Sequence, residues 1–207
     1  REHVRHEGLV ALIHDRPGCF SLLERPARRR LEIHDRSGSV RFAPPDRGAD
    51  MYDGPSPLVV VAVDIQDPGN VGAIVRVAEA AGASGLVAAG GSAQPFGWKA
   101  LRGSMGSALR LPIGGGDPAT AIATARQHRC RIVATVPRAG ATLFDLDLTG
   151  PAALVVGGEG AGLPPALIAS ADARVTIPMQ PPVESLNAAV AAAVVLYEAR
   201  RQRAAKN

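Results

Sequence analysis

The chain has 207 residues, 23 basic against 19 acidic, and a formal net charge of +4. That length buries the core of one α/β domain with a small appendage, and the mild basic excess suits an anionic partner. Cys19 and Cys130 are too few for a disulfide framework or a zinc site. No run of about 18 apolar residues occurs and the first residues do not read as a signal peptide, so a soluble, cytoplasmic protein with no membrane partner and no metal is expected.

Residues 1–57 form the first expected region. They hold ten arginines and four of the five histidines, and end in a linker with Pro44-Pro45 and Pro55-Ser56-Pro57. Gly8–Ile13 and Ser37–Phe42 read as short strands, with Arg25–Arg30 as a basic turn between them. The histidines lack metal-ligand spacing and read as surface residues.

Residues 58–207 form the second region, where strand and helix patterns alternate. Leu58–Val63 is an apolar run typical of a strand buried on both faces. Asp67-Pro68-Gly69 stops it, and Asn70 is placed to cap a helix over 70–82. Val71, Ile74, Val75 and Ala78 recur on one face of that helix, while Arg76 projects from the other. Arg76 is expected to lean over Gly72 toward the crevice above the strand end, where open α/β sheets bind ligands. The plainer alternative pairs Arg76 with Glu79.

Further along, Gly85–Ala89 reads as a strand, 98–109 as a helix, Ala119–His128 as a helix and Arg131–Val136 as a strand. Ala152–Val156 reads as a strand, Pro164–Ala169 as a short helix, Arg174–Ile177 as a strand, and Ser185 to about Arg203 as the final helix. Strands separated by helices imply an α/β fold with a mostly parallel sheet covered on both faces. Ser185 is the expected cap of the last helix, whose buried stripe is expected at Leu186, Ala189, Val190, Ala193, Val194 and Tyr197.

Two later segments carry chemistry. Gly157-Gly158-Glu159-Gly160-Ala161-Gly162 leaves a strand as a glycine-rich loop around one acid, a plausible binding surface that matches neither dinucleotide nor phosphate-loop spacing. Ile177-Pro178-Met179 leads through Gln180-Pro181-Pro182-Val183-Glu184 to Ser185-Leu186-Asn187 at a helix start. In order and context, the segments from Asn70 to Arg76, from Gly157 to Gly160 and from Ile177 to Asn187 resemble the three signature motifs of the SpoU (TrmH-like) RNA ribose methyltransferases of the SPOUT superfamily. Lys99-Ala100-Leu101-Arg102-Gly103-Ser104-Met105-Gly106 is also similar to that family. The resemblance covers about residues 58–203.

The resemblance implies a C-terminal trefoil knot, a homodimer and S-adenosyl-L-methionine as cofactor. It places the cofactor against Thr135, Gly157, Gly158, Ile177, Met179 and Leu186, and the catalytic site at Asn70, Arg76, Glu159, Ser185 and Asn187. The implied reaction is 2′-O-methylation of a ribose in structured RNA. Large-subunit ribosomal RNA is preferred because of the Asp-Pro-Gly-Asn form and the upstream His6-Glu7-Gly8-Leu9-Val10-Ala11, similar to the end of that family's RNA-binding domain. Transfer RNA, or a small nucleoside-like metabolite, is the alternative substrate, and a non-catalytic RNA-binding protein the alternative class. The double proline Pro181-Pro182 departs from the small residues common in the family.

Overall fold

The computed structural model describes the backbone of residues 2–6, 9–13 and 20–24, and residues 50–160 and 162–206 throughout. The chain divides into two units, residues 1–46 and 47–207. In the first, β1 (Glu2–His6), β2 (Leu9–Ile13) and β3 (Phe20–Glu24) form an antiparallel sheet in that order. The strand expected near Gly8–Ile13 is therefore present as β2. The expected strand Ser37–Phe42 and basic turn Arg25–Arg30 lie outside the described residues.

The second unit holds a seven-stranded sheet. β4 (Leu58–Val63), β5 (Gly85–Ala89), β6 (Ile113–Gly116), β7 (Arg131–Thr135), β8 (Ala141–Thr142), β9 (Ala152–Gly157) and β10 (Ala173–Thr176) lie in the order β6-β5-β4-β9-β7-β10-β8. Every neighbouring pair is parallel. All six residues of β4 are buried, as its unbroken apolar run predicts, because both faces of the sheet are covered. Leu58, Val60 and Ala62 pack toward α1 (Pro68–Ala80), α2 (Trp98–Ser104) and α5 (Ala188–Ala204). Val59, Val61 and Val63 pack toward α3 (Pro118–Gln127), with Met51 and Tyr52. The short α4 (Pro165–Ser170) follows β9.

Val71, Ile74, Val75 and Ala78 are fully buried on α1, as their spacing predicts. The cap is different. Asp67 precedes the helix and its Oδ1 accepts the Asn70 N–H at 2.8 Å, so Asn70 lies inside the first turn. Gly72 also serves another purpose than clearing a path for Arg76. A Cβ there would stand 2.4 Å from the Ala100 carbonyl oxygen, so the glycine lets α1 and α2 cross closely.

The last helix departs further. Asn187, and not Ser185, caps α5, its Oδ1 accepting the N–H groups of Ala189 and Val190 at 3.0 and 3.2 Å. Ala188, Ala192, Val195, Leu196 and Ala199 are buried. Val190, Val194 and Tyr197, expected inside, are 49, 36 and 50 % exposed. Nearly every residue from Ala188 to Tyr197 is apolar, so periodicity alone offers more than one face. The far end of α5 is tied down by Arg203, which donates to the carbonyls of Leu148, Ser56 and Gly150 at 2.9, 2.7 and 2.5 Å.

Candidate functional site

The sheet order brings the marked segments together. β4, β9, β7 and β10 are consecutive neighbours, and from their carboxyl ends emerge the Asp64–Arg76 segment, the glycine-rich loop, Thr135 and the Ile177–Asn187 segment. The chain runs outward through β5 and β6, then returns to the other side of β4. That reversal creates the crevice in which doubly wound sheets bind ligands. Val63 pairs with Gly157, so the loops after β4 and β9 lie side by side. A Cβ on Gly158 would stand 2.2 Å from the Asp64 carbonyl oxygen, and one on Gly157 would stand 2.6 Å from the backbone of Gly162. These two glycines are demanded by the protein's own backbone, whereas Gly160 and Gly162 supply left-handed turns at φ +92° and +66°.

Two cavities open here. The first, of about 460 Å³, is lined by Thr135, Gly157, Gly158, Ile177, Met179 and Leu186, the six positions marked for the cofactor. Val136, Pro137, Val156 and Ala191 add apolar wall that sequence reasoning missed, although Val136-Pro137 directly after a strand was a usable signal. The Thr135 hydroxyl donates to the Val155 carbonyl at 3.1 Å, which fixes it at the strand end. At the mouth, the Arg138 guanidinium meets the Glu184 carboxylate at 2.5 Å, joining the loops that flank the cavity.

The second cavity, of about 610 Å³, is lined by Asp64, Gln66, Asp67, Asn70, Glu159 and Pro164 among others. Glu159 borders both cavities, Asn187 borders the first and Asn70 the second. The three side chains are bonded together. Asn70 Nδ2 donates to Glu159 Oε1 at 3.0 Å, and Asn187 Nδ2 donates to the same oxygen at 2.5 Å and to Asn70 Oδ1 at 3.1 Å. The polarity is set by the helix. Because Asn187 Oδ1 must accept from the first turn of α5, its NH₂ faces Glu159, which then acts as acceptor.

Ser185 lines the first cavity without capping the helix. Arg76 is the residue the structure does not bring in. It is exposed on α1 and lines neither cavity. The alternative pairing with Glu79 is not formed either, since Glu79 binds Arg110 through Nε at 2.6 Å and Nη2 at 2.7 Å.

A parallel α/β domain with paired cavities at its switch point, joined by an amide–carboxylate cluster, has the geometry of a ligand site. Residues 57–197 match the SpoU rRNA Methylase family, and the chain belongs to that family. It is 34 % identical over 142 residues to the 23S rRNA (guanosine(2553)-2′-O)-methyltransferase RlmP of Bacillus subtilis, covering 68 % of this chain and 57 % of that one. Among solved structures it is similar to the SpoU methyltransferase AviRb of Streptomyces viridochromogenes in complex with AdoMet. The TM-score is 0.74 at 37 % identity, over 80 % of this chain and 64 % of that one. It is also similar to the A. aeolicus TrmH/SpoU tRNA modifying enzyme, with TM-score 0.65 and 31 % identity over 72 % of this chain and 76 % of that one. The chain spans about half the length of the curated relatives it matches.

Proposed function

We propose that this protein transfers a methyl group from S-adenosyl-L-methionine to a ribose 2′-hydroxyl in structured RNA, with large-subunit ribosomal RNA the preferred substrate and transfer RNA the second. One observation carries this reading: Glu159 stands where two cavities meet, bonded to Asn187 from one and to Asn70 from the other. Two reactants held on either side of one cluster is what a group transfer requires.

The first cavity fits the cofactor. Its volume suits a nucleoside with an amino-acid tail, and apolar walls from Ile177, Met179 and Leu186 alternate with backbone at Gly157 and Gly158. When bound, S-adenosylmethionine supplies an electrophilic methyl group on a sulfonium. The chain's own residues must then hold a weakly nucleophilic hydroxyl in line and stabilise the charge that grows on it. Asn70, Ser185 and Asn187 orient the ribose, and Glu159 fixes both amides with one oxygen. Arg76, outside both cavities, is assigned to a phosphate next to the reacting ribose. A guanidinium acts here through its charge and its planar set of donors, not as a base. Its exposed position outside both cavities suits the phosphate contact in particular.

The reading extends to the assembly. The face of α5 with exposed Val190, Val194 and Tyr197 forms the interface of a homodimer, the segment from Ile177 to Asn187 belongs to a trefoil knot, and residues 1–57 contribute to RNA binding. A cytoplasmic location follows from the substrate, and no helix among the described residues is long and apolar enough to cross a membrane. The test is methyl transfer from radiolabelled S-adenosylmethionine to total RNA from a strain lacking the gene, with the labelled nucleosides identified by mass. Label in a 2′-O-methylnucleoside is expected. Label in a base, or only on free nucleosides, would overturn the reading.

A further inference from the structure

The segment Lys99–Gly106, singled out in the sequence, has no part in either cavity. Between Pro68 and Arg110 the chain carries four cations, Arg76, Lys99, Arg102 and Arg110, and one acid, Glu79. That acid is bonded to Arg110. Lys99 and Arg102 have no acidic partner among the described residues, although the chain as a whole is nearly balanced.

The placement is specific. Ala100 and Ser104 are buried toward α1, and at about 100° per residue Trp98, Lys99 and Arg102 share the outward arc of α2. All three are exposed. The Arg102 guanidinium lies 4.6 Å from the centre of the Trp98 ring, a flat cation held against an aromatic. A Cβ on Gly103 would stand 3.4 Å from the Gly69 carbonyl oxygen, so α2 crosses α1 at the turn that carries Asn70. The C-terminal end of α2 thus lies against the turn whose Asn70 lines the second cavity.

From this we infer that the outward face of α2, through Lys99 and Arg102 with Trp98, is a docking surface for the sugar–phosphate backbone of RNA flanking the nucleotide in the second cavity. The inference rests on the proposed RNA substrate. Exposed cations without carboxylate partners neutralise phosphates with release of counterions, and a guanidinium–indole pair presents a flat surface to an unstacked base. An acidic protein surface is the competing occupant.

The test uses the full chain and unmodified large-subunit ribosomal RNA transcribed in vitro, with RNA affinity measured against salt, and cofactor affinity and methyl transfer in parallel. For the Lys99→Gln/Arg102→Gln double variant, the Kd and KM for RNA rise roughly tenfold and the slope of log affinity against log salt falls by about 1.5. Cofactor affinity and kcat at saturating RNA stay unchanged. Arg129→Gln, which removes one charge in the turn before β7 at the opposite end of the strands, leaves RNA affinity and the slope as in wild type, where one lost phosphate contact would lower the slope by about 0.7 to 0.9. Unaltered RNA affinity and salt slope in the double variant would overturn the inference, as would an equal loss in Arg129→Gln. Should the double variant lose cofactor binding, Lys99→Gln alone, an exposed helix position, gives the same reading at half the slope change. Absence of methyl transfer by wild type with RNA binding intact defeats the proposed reaction and leaves the docking face standing, since the binding arm needs no turnover.

Discussion

The two helix starts that meet at Glu159 solve the same problem in different ways. At α1 the cap is Asp67, whose carboxylate takes the Asn70 N–H and leaves the whole Asn70 amide to Glu159 and Asn187. At α5 the cap is Asn187 itself, which spends its oxygen on Ala189 and Val190 and its nitrogen on Glu159. Structure and chemistry are divided between two residues at one helix and combined in one residue at the other. Truncation to alanine should therefore separate folding from activity at α1 and not at α5.

The largest expected effect is at the combined position. Asn187→Ala loses a helix cap worth about 1 kcal/mol and the Glu159 contact together, so denaturant midpoint and methyl transfer both fall. Asn187→Ser restores the cap without the amide donor, and should recover stability while activity stays low. Asn70→Ala should lower methyl transfer by one to two orders of magnitude with the midpoint almost unmoved, because Asp67 still caps α1. Asp67→Ala should do the reverse, costing about 1 kcal/mol in a denaturant titration and sparing most of the turnover. If Asn70→Ala destabilised as much as Asp67→Ala, the division of labour at α1 would be wrong.

The smallest effect concerns the other end of α5. Glu198 is 8 % exposed and accepts from Arg201 and Gln202, which hold its carboxyl down to about 2, below the usual carboxylate range. A depressed folded pKa contributes stability that is fully present above about pH 4.3 and is lost as pH falls toward 2. Denaturant midpoints between pH 2 and 5 should show a shallower acid limb in Glu198→Gln than in wild type.

The same contrast explains what was legible in the sequence. β4 and the buried face of α1 were readable because a valine run and a single apolar stripe each admit one solution. The convergence of Asn70, Glu159 and Asn187 was readable as a resemblance in order and spacing, although the capping roles fell on other residues. In both helices the helix-start signal was a cluster of capable side chains, and tertiary bonds decided which of them capped. The buried face of α5 was not readable, since an alanine- and valine-rich helix has apolar residues on every side. β6 was missed because Gly114-Gly115-Gly116 has the composition of a loop, and β8 because it is two residues long. Arg76 was expected in the crevice from its position opposite the core stripe, but facing away from the core does not specify which solvent-exposed feature a side chain reaches.

The most direct test of the central claim is the rate of methyl transfer under single-turnover conditions in Glu159→Ala, with cofactor affinity measured in the same sample. Both asparagines donate to the single oxygen Oε1, so removing the carboxylate from this exposed loop position breaks the bridge between the cavities. The account predicts transfer to RNA at least a hundredfold slower and a cofactor Kd within about threefold of wild type. Transfer at the wild-type rate would show that the cluster joining the two cavities is not where the reaction is organised.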